Sequence, residues 1–173
     1  SILLVVGVDM QTLTPSFLGD GPQNWFVNPR LPDGLSLAGG SGVIGGTPEA
    51  EAIETRYTII GTNAMGSAAT TIDITVVAAA PYSIQYLSDF LSCTLGEECP
   101  MGPPMVMGGA ADTWSVSPLL PEGLTILDDG SITGIARALG DSNHTVTASN
   151  SGGSVETPIR IITLHEEPTA LSY

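Results

Sequence analysis

The chain has 173 residues, and Gly (21) plus Pro (13) make up about a fifth of them, against roughly 12% in an ordinary globular domain. Eighteen Asp and Glu face four basic residues, all Arg (Arg30, Arg56, Arg137 and Arg160), so the formal charge is −14. That balance excludes nucleic acid and anionic membrane surfaces, which demand basic patches. A hydrophobic content of 42% excludes a disordered acidic tail, and no apolar run approaches the roughly 20 residues of a bilayer span.

The residues from Ile2 to Val8 read as a strand; no basic segment precedes them that would make them a leader core. Trp25-Phe26-Val27-Asn28-Pro29 follows as a second strand. Leu31-Pro32-Asp33-Gly34-Leu35 suits a type I turn with Pro at its second position and Gly at its fourth. Glu49 to Arg56 is the best candidate for a helix, limited to one or two turns by Pro48 and the β-branched residues after Arg56. Tyr57-Thr58-Ile59, a turn at Asn63–Gly66, and the alternating Thr71-Ile72-Asp73-Ile74-Thr75-Val76 predict a hairpin. The linker Val77-Ala78-Ala79-Ala80-Pro81 carries no acid.

Beyond that linker the pattern repeats. Trp25 to Leu37 recurs as Trp114 to Ile126 at an offset of 89. Gly42-Val43-Ile44-Gly45-Gly46 recurs as Gly130-Ser131-Ile132-Thr133-Gly134 at 88, and Thr58 to Asn63 as Thr145 to Asn150 at 87. Ordered matches with so small a drift define two copies of one module of roughly 87 residues, overruling the single domain that length predicts. Module 1 spans 1–80 and module 2 spans 81–167. Trp25 and Trp114, one per module, are the expected core plugs of a sandwich. Pro81-Tyr82-Ser83-Ile84-Gln85-Tyr86 opens module 2, and 168–173 repeats it at an offset of 87 as Pro168-Thr169-Ala170-Leu171-Ser172-Tyr173. The expectation is that 168–173 is the first strand of a following module, that module 1 lacks its own, and that Pro168, Leu171 and Tyr173 enter the sheet of the next unit.

The order Trp-x-Val-x-Pro-x-Leu-Pro-x-Gly-Leu, then Gly-x-Ile-x-Gly, then Thr-x-x-x-x-Asn-x-x-Gly-Ser resembles the family of putative immunoglobulin (cadherin-like) repeats of cell-surface and secreted proteins. Gly45-Gly46-Thr47-Pro48 carries the ending usual in that family, and module 2 departs from it with Gly134-Ile135-Ala136. The resemblance implies an all-β chain of two tandem immunoglobulin-like β-sandwich modules in an elongated arrangement. Such modules serve as spacers or adhesive units, with no catalytic residues.

Cys93 and Cys99 have five residues between them, including Gly96, so the chain can turn back to close a local disulfide. A metal or redox pair is the rival; it lacks a CxxC spacing and a nearby His. The bridge implies an oxidising, extracellular or cell-surface location. Asn143-His144-Thr145 is a glycan acceptor sequence expected just before a strand. Pro100 to Gly109 reads as a long loop packed by its methionines, or as an exposed polyproline-like contact. His144 and His165 show no Ser or Cys partner pattern, so no enzyme activity is expected. Asp128-Asp129 precedes Gly130 in a turn, and Glu97-Glu98 and Glu166-Glu167 are expected as solvated charge. No cofactor is expected; calcium is the best alternative use for these acids, although the acidic signature between cadherin domains is missing. The functional expectation is a structural extracellular repeat that self-associates head-to-tail as a filament, stalk or fibril. The alternative is an adhesive or glycan-binding surface module.

Overall fold

The computed structural model describes residues 1–166. The chain divides into two compact units, the first Ser1–Ala79 and the second beginning at Ala80. The described residues contain strands and no α-helix.

Unit 1 holds β1 (Ile2–Val5), β2 (Asn24–Asn28), β3 (Leu35–Leu37), β4 (Ile44–Gly46), β5 (Ala52–Asn63) and β6 (Gly66–Val77). Four of them form a sheet in the order β1-β6-β5-β2, with β1 parallel to β6. The hairpin β3–β4 lies opposite, extended by a bridge from Leu13 to Ile44. Alternation decides which side chains meet: Tyr57 and Ile59 of β5, Ile74 and Val76 of β6 and Ile44 of β4 are buried in one cluster. Arg56 and Asp73, on the opposite parity, face out and pair across the strands at 2.8 Å. Residues 52–56, part of the best helix candidate in the sequence, are strand, with a bulge between Ala52 and Thr55. Pairing with β6 satisfies this backbone and seats Tyr57 in the core, so tertiary contacts override a weak local preference.

Unit 2 holds β7 (Pro81–Gln85), β8 (Phe90–Thr94), β9 (Met105–Gly108), β10 (Thr113–Ser117), β11 (Leu124–Ile126), β12 (Ile132–Gly134), β13 (Gly140–Asn150) and β14 (Gly153–Leu164). Its main sheet, β10-β13-β14-β8, is that of unit 1 again, with β8 parallel to β14. The register matches as well: Leu91 lies beside Ile161 as Ile2 lies beside Ile74. Hairpin β11–β12 lies opposite, and β7 pairs antiparallel with β9. The stretch expected as a long loop is therefore partly strand, and Met101 within it is buried and bridges to Ile132.

The Leu-Pro-x-Gly-Leu turns differ from the type I expectation in both units. The bond runs from Leu35 N–H to the Pro32 carbonyl (3.0 Å) and from Leu124 N–H to the Pro121 carbonyl (3.0 Å). Gly therefore sits third in the turn, at φ 86° for Gly34 and 93° for Gly123, where a side chain would be strained. A Cβ there would also stand 1.9 Å from the Thr47 or Ile135 carbonyl oxygen. The Asn28–Pro29 and Ser117–Pro118 peptides, just before these turns, are cis.

Candidate functional site: an open edge in unit 1

The two units differ most where β7 lies. In unit 2, Pro81 and Ile84 of β7 are buried, and the phenol of Tyr86 donates a 2.5 Å hydrogen bond to the Gly130 carbonyl. Burial, and secondarily the charge of Asp129, pushes that phenol up to about 12. Gly130 is itself pressed against Trp114; a Cβ there would meet the indole at 2.8 Å. Beneath β7 the first half of β14 alternates between half-buried Gly153, Val155 and Thr157 and exposed Ser154, Glu156 and Pro158.

Unit 1 has no strand in that place among the described residues. The first half of β6, from Gly66 to Thr71, is exposed at every position. Gly42 meets the Trp25 indole as Gly130 meets Trp114, with an added Cβ at 2.5 Å. Instead of a tyrosine, an apolar cleft of about 240 Å³ opens beside Trp25, Gly42, Ile44, Ile59 and Ile72. A second cleft of about 500 Å³ continues along Phe17, Trp25 and Ala68–Thr70. Phe17 leans on Trp25 with ring centroids 6.4 Å apart and stays 53% exposed.

Both tryptophans pack against their cores and are half-buried, not enclosed as expected. Each indole closes the side of the sandwich rather than its centre, which Ile74 and Ile161 fill. Pro168, Leu171 and Tyr173 lie outside the described residues.

Cys93 and Cys99 are joined in a disulfide with a Cα separation of 5.3 Å, both side chains buried. The bridge ties the end of β8 to the segment whose Cys99 N–H bonds the Gly134 carbonyl. Asn143 is exposed and lies within β13, beyond the end of β10 rather than before a strand.

His144 corrects the sequence expectation of a surface histidine without a Ser partner. It is 3% exposed. Its Nδ1 donates to the Pro118 carbonyl at 2.9 Å, since a carbonyl only accepts, and Ser142 Oγ donates to Nε2 at 2.7 Å. Residues two apart on a strand share a face, and that signal was available for Ser142. With both nitrogens engaged and the ring sealed, the pair ties β13 to the loop after β10. Asp129 accepts from the Ser131 N–H (2.9 Å) and hydroxyl (2.6 Å), which hold its carboxyl below the usual range; it is a turn residue. No group of three or more His, Cys, Asp and Glu side chains among the described residues is placed to hold a metal. No described helix is long and apolar enough to cross a membrane.

Residues 9–77 match the family described as Putative Ig domain. No curated protein matches the chain. Among solved structures it is similar to extracellular domains 3–5 of Drosophila OTK, with 16% identity and a TM-score of 0.53 over 95% of this chain and 59% of that one. It is similar to Sidekick-1 immunoglobulin domains 1–4, with 17% identity and a TM-score of 0.55 over 94% of this chain and 46% of that one. The chain thus spans about half the length of these structures, and at such identities the likeness shows the fold alone. Unit 1 thus matches the Putative Ig domain model over nearly its whole length, and the chain has the fold of two tandem immunoglobulin-like β-sandwich modules.

Proposed function

We propose that the chain is a non-catalytic, extracellular structural repeat whose units add head-to-tail into a filament, stalk or fibril. The observation that carries this reading is the mismatch between the units: unit 2 has a strand over β14 and Trp114, while in unit 1 no described strand covers the same face. An uncovered sandwich edge invites a strand from elsewhere. Such a contact joins different surfaces of successive units, so it propagates instead of closing a dimer. The buried disulfide supports an oxidising location, and the exposed Asn143 is suited to carry a glycan there. The reading calls for no cofactor. Electron microscopy and sedimentation of the purified chain test it: fibres with a repeat of two modules are expected. A monodisperse particle at all concentrations would overturn it, and glycan-array binding by such a particle would favour the adhesive alternative.

A further inference from the structure

We infer that the open edge of unit 1 is an acceptor groove for one occupant, the Pro168–Tyr173 strand of a second copy of this chain. The inference rests on the head-to-tail reading and gives it residues and a register.

Unit 2 supplies the template. There β7 pairs with β9 in the register Ile84↔Val106 and Gln85↔Met105, with Pro81 opposite Gly108. Carried over by the repeat offsets, the counterparts of β9 in unit 1 are Ser16, Phe17, Leu18 and Gly19. This segment has no strand partner among the described residues, and Phe17 and Leu18 are 53% and 103% exposed. Its backbone already resembles β9 at one telling point: Gly19 has φ 82° where Gly108 has φ 97°, a region that favours glycine. The acceptor segment thus shares the backbone of its counterpart at that glycine.

The occupant is chosen by matching side chains. Pro168, Leu171 and Tyr173 stand at the positions of Pro81, Ile84 and Tyr86. Leu171 would enter beside Phe17, and Tyr173 would fill the cleft of about 240 Å³ beside Trp25. Its hydroxyl would donate to the Gly42 carbonyl as Tyr86 does to that of Gly130. Phe17, now leaning on Trp25, would yield to the tyrosine. The strand carries no charged side chain, so none of its side chains brings an unpaired ion into an apolar groove. Ladder bonds would supply affinity and the two alternate pockets specificity. The resulting register is Leu171↔Phe17 and Ser172↔Ser16, between copies.

The register is tested in the full chain carrying Ser16→Cys and Ser172→Cys. Mild oxidation should yield a ladder of covalent oligomers, and a Thr14→Cys/Ser172→Cys chain, displaced by two residues, should not. In parallel, a peptide of residues 166–173 is titrated into a chain ended after Glu166 with Trp114→Phe, so that Trp25 alone reports. Saturable quenching or a blue shift is expected, with at least about tenfold weaker binding for a Tyr173→Ala peptide, as for loss of a buried aromatic anchor. A bridge formed only within single chains would overturn the second copy as occupant, as would native material whose denatured mass shows 168–173 running covalently into a further unit. Absence of both ladder and peptide binding would overturn the groove itself. Peptide binding without fibres would leave the groove standing and sink the filament reading; fibres formed by the chain ended after Glu166 would do the reverse.

Discussion

Unit 1 and unit 2 share strand order, register and turn chemistry, and they part company at two places. Unit 2 closes one side of its sandwich with β7 and Tyr86, where unit 1 leaves clefts beside Trp25. Unit 2 also ties β8 to the next segment through Cys93 and Cys99, where unit 1 carries Leu4 and Met10 at the same offset, Met10 buried and Leu4 packed against the core. The second difference is an exchange: a covalent staple and an apolar contact serve the same junction. The first has no such exchange within unit 1, which is why the open edge, and not the disulfide, marks the surface on which function is proposed.

The largest effect that would sharpen this comparison concerns the tryptophans. Trp114→Ala should cost unit 2 about 3 kcal/mol, the low end for a large-to-small change because the ring is half-buried. Trp25→Ala should cost unit 1 about half as much, because the cleft beside it has already forfeited contacts. Urea unfolding of a chain ended after Glu166, which has no donor strand, checks this, with circular dichroism following the altered unit and the remaining Trp following its neighbour. Equal losses would show that the cleft beside Trp25 is filled in solution.

The disulfide comes next. Closing a loop of this length contributes about 2 kcal/mol by chain entropy. Reduction should lower the urea midpoint read at Trp114 in a Trp25→Phe chain and leave unit 1 unmoved. Replacing the pair by Cys93→Leu with Cys99→Met, the residues of unit 1, should recover part of the loss. If it recovers none, the two junctions are not equivalent.

Tyr86→Phe should cost about 1 kcal/mol, the net worth of one hydrogen bond, in unit 2 alone. A pH signature accompanies it. The unfolded phenol ionises near pH 10, whereas the folded one holds its proton to about pH 12. Between those values the unfolded state binds fewer protons, so the stabilisation, complete below pH 10, is lost as pH rises through the window. Unfolding at pH 8 and pH 11 should show that fall at Trp114 in the parent and a smaller one in Tyr86→Phe.

The smallest effect should be the same in both units. Asp73 pairs with Arg56, and Asp141 with Arg160, on exposed faces. Each carboxyl is held below its ordinary value chiefly by the hydrogen bond from its arginine. The stabilisation is present above the ordinary carboxylate range and lost as pH falls through the lowered values. Asp73→Asn and Asp141→Asn should each shift the urea midpoint slightly, and high salt should erase the shift. A large shift in one unit only would break the equivalence of the two outer faces.

The sequence by itself determined the repeat, the all-β character, the strands around Trp25 and Trp114, the Asn63 hairpin turn and the pairing of Cys93 with Cys99. Each of these is a local matter: alternation of two residues, a glycine where backbone demands it, two sulfurs a short loop apart. Tertiary structure decided what depends on a distant neighbour. Residues 52–56 are strand because β6 lies beside them. His144 is buried because its inward parity carries it between Ser142 and the Pro118 carbonyl, a residue 26 positions away. The tryptophans are half-buried because they close a side of the sandwich, and only packing defines that side. The cleft beside Trp25 has no sequence signal of its own: it is the space left where six strands fold around a core that, in the other unit, a further strand helps to cover.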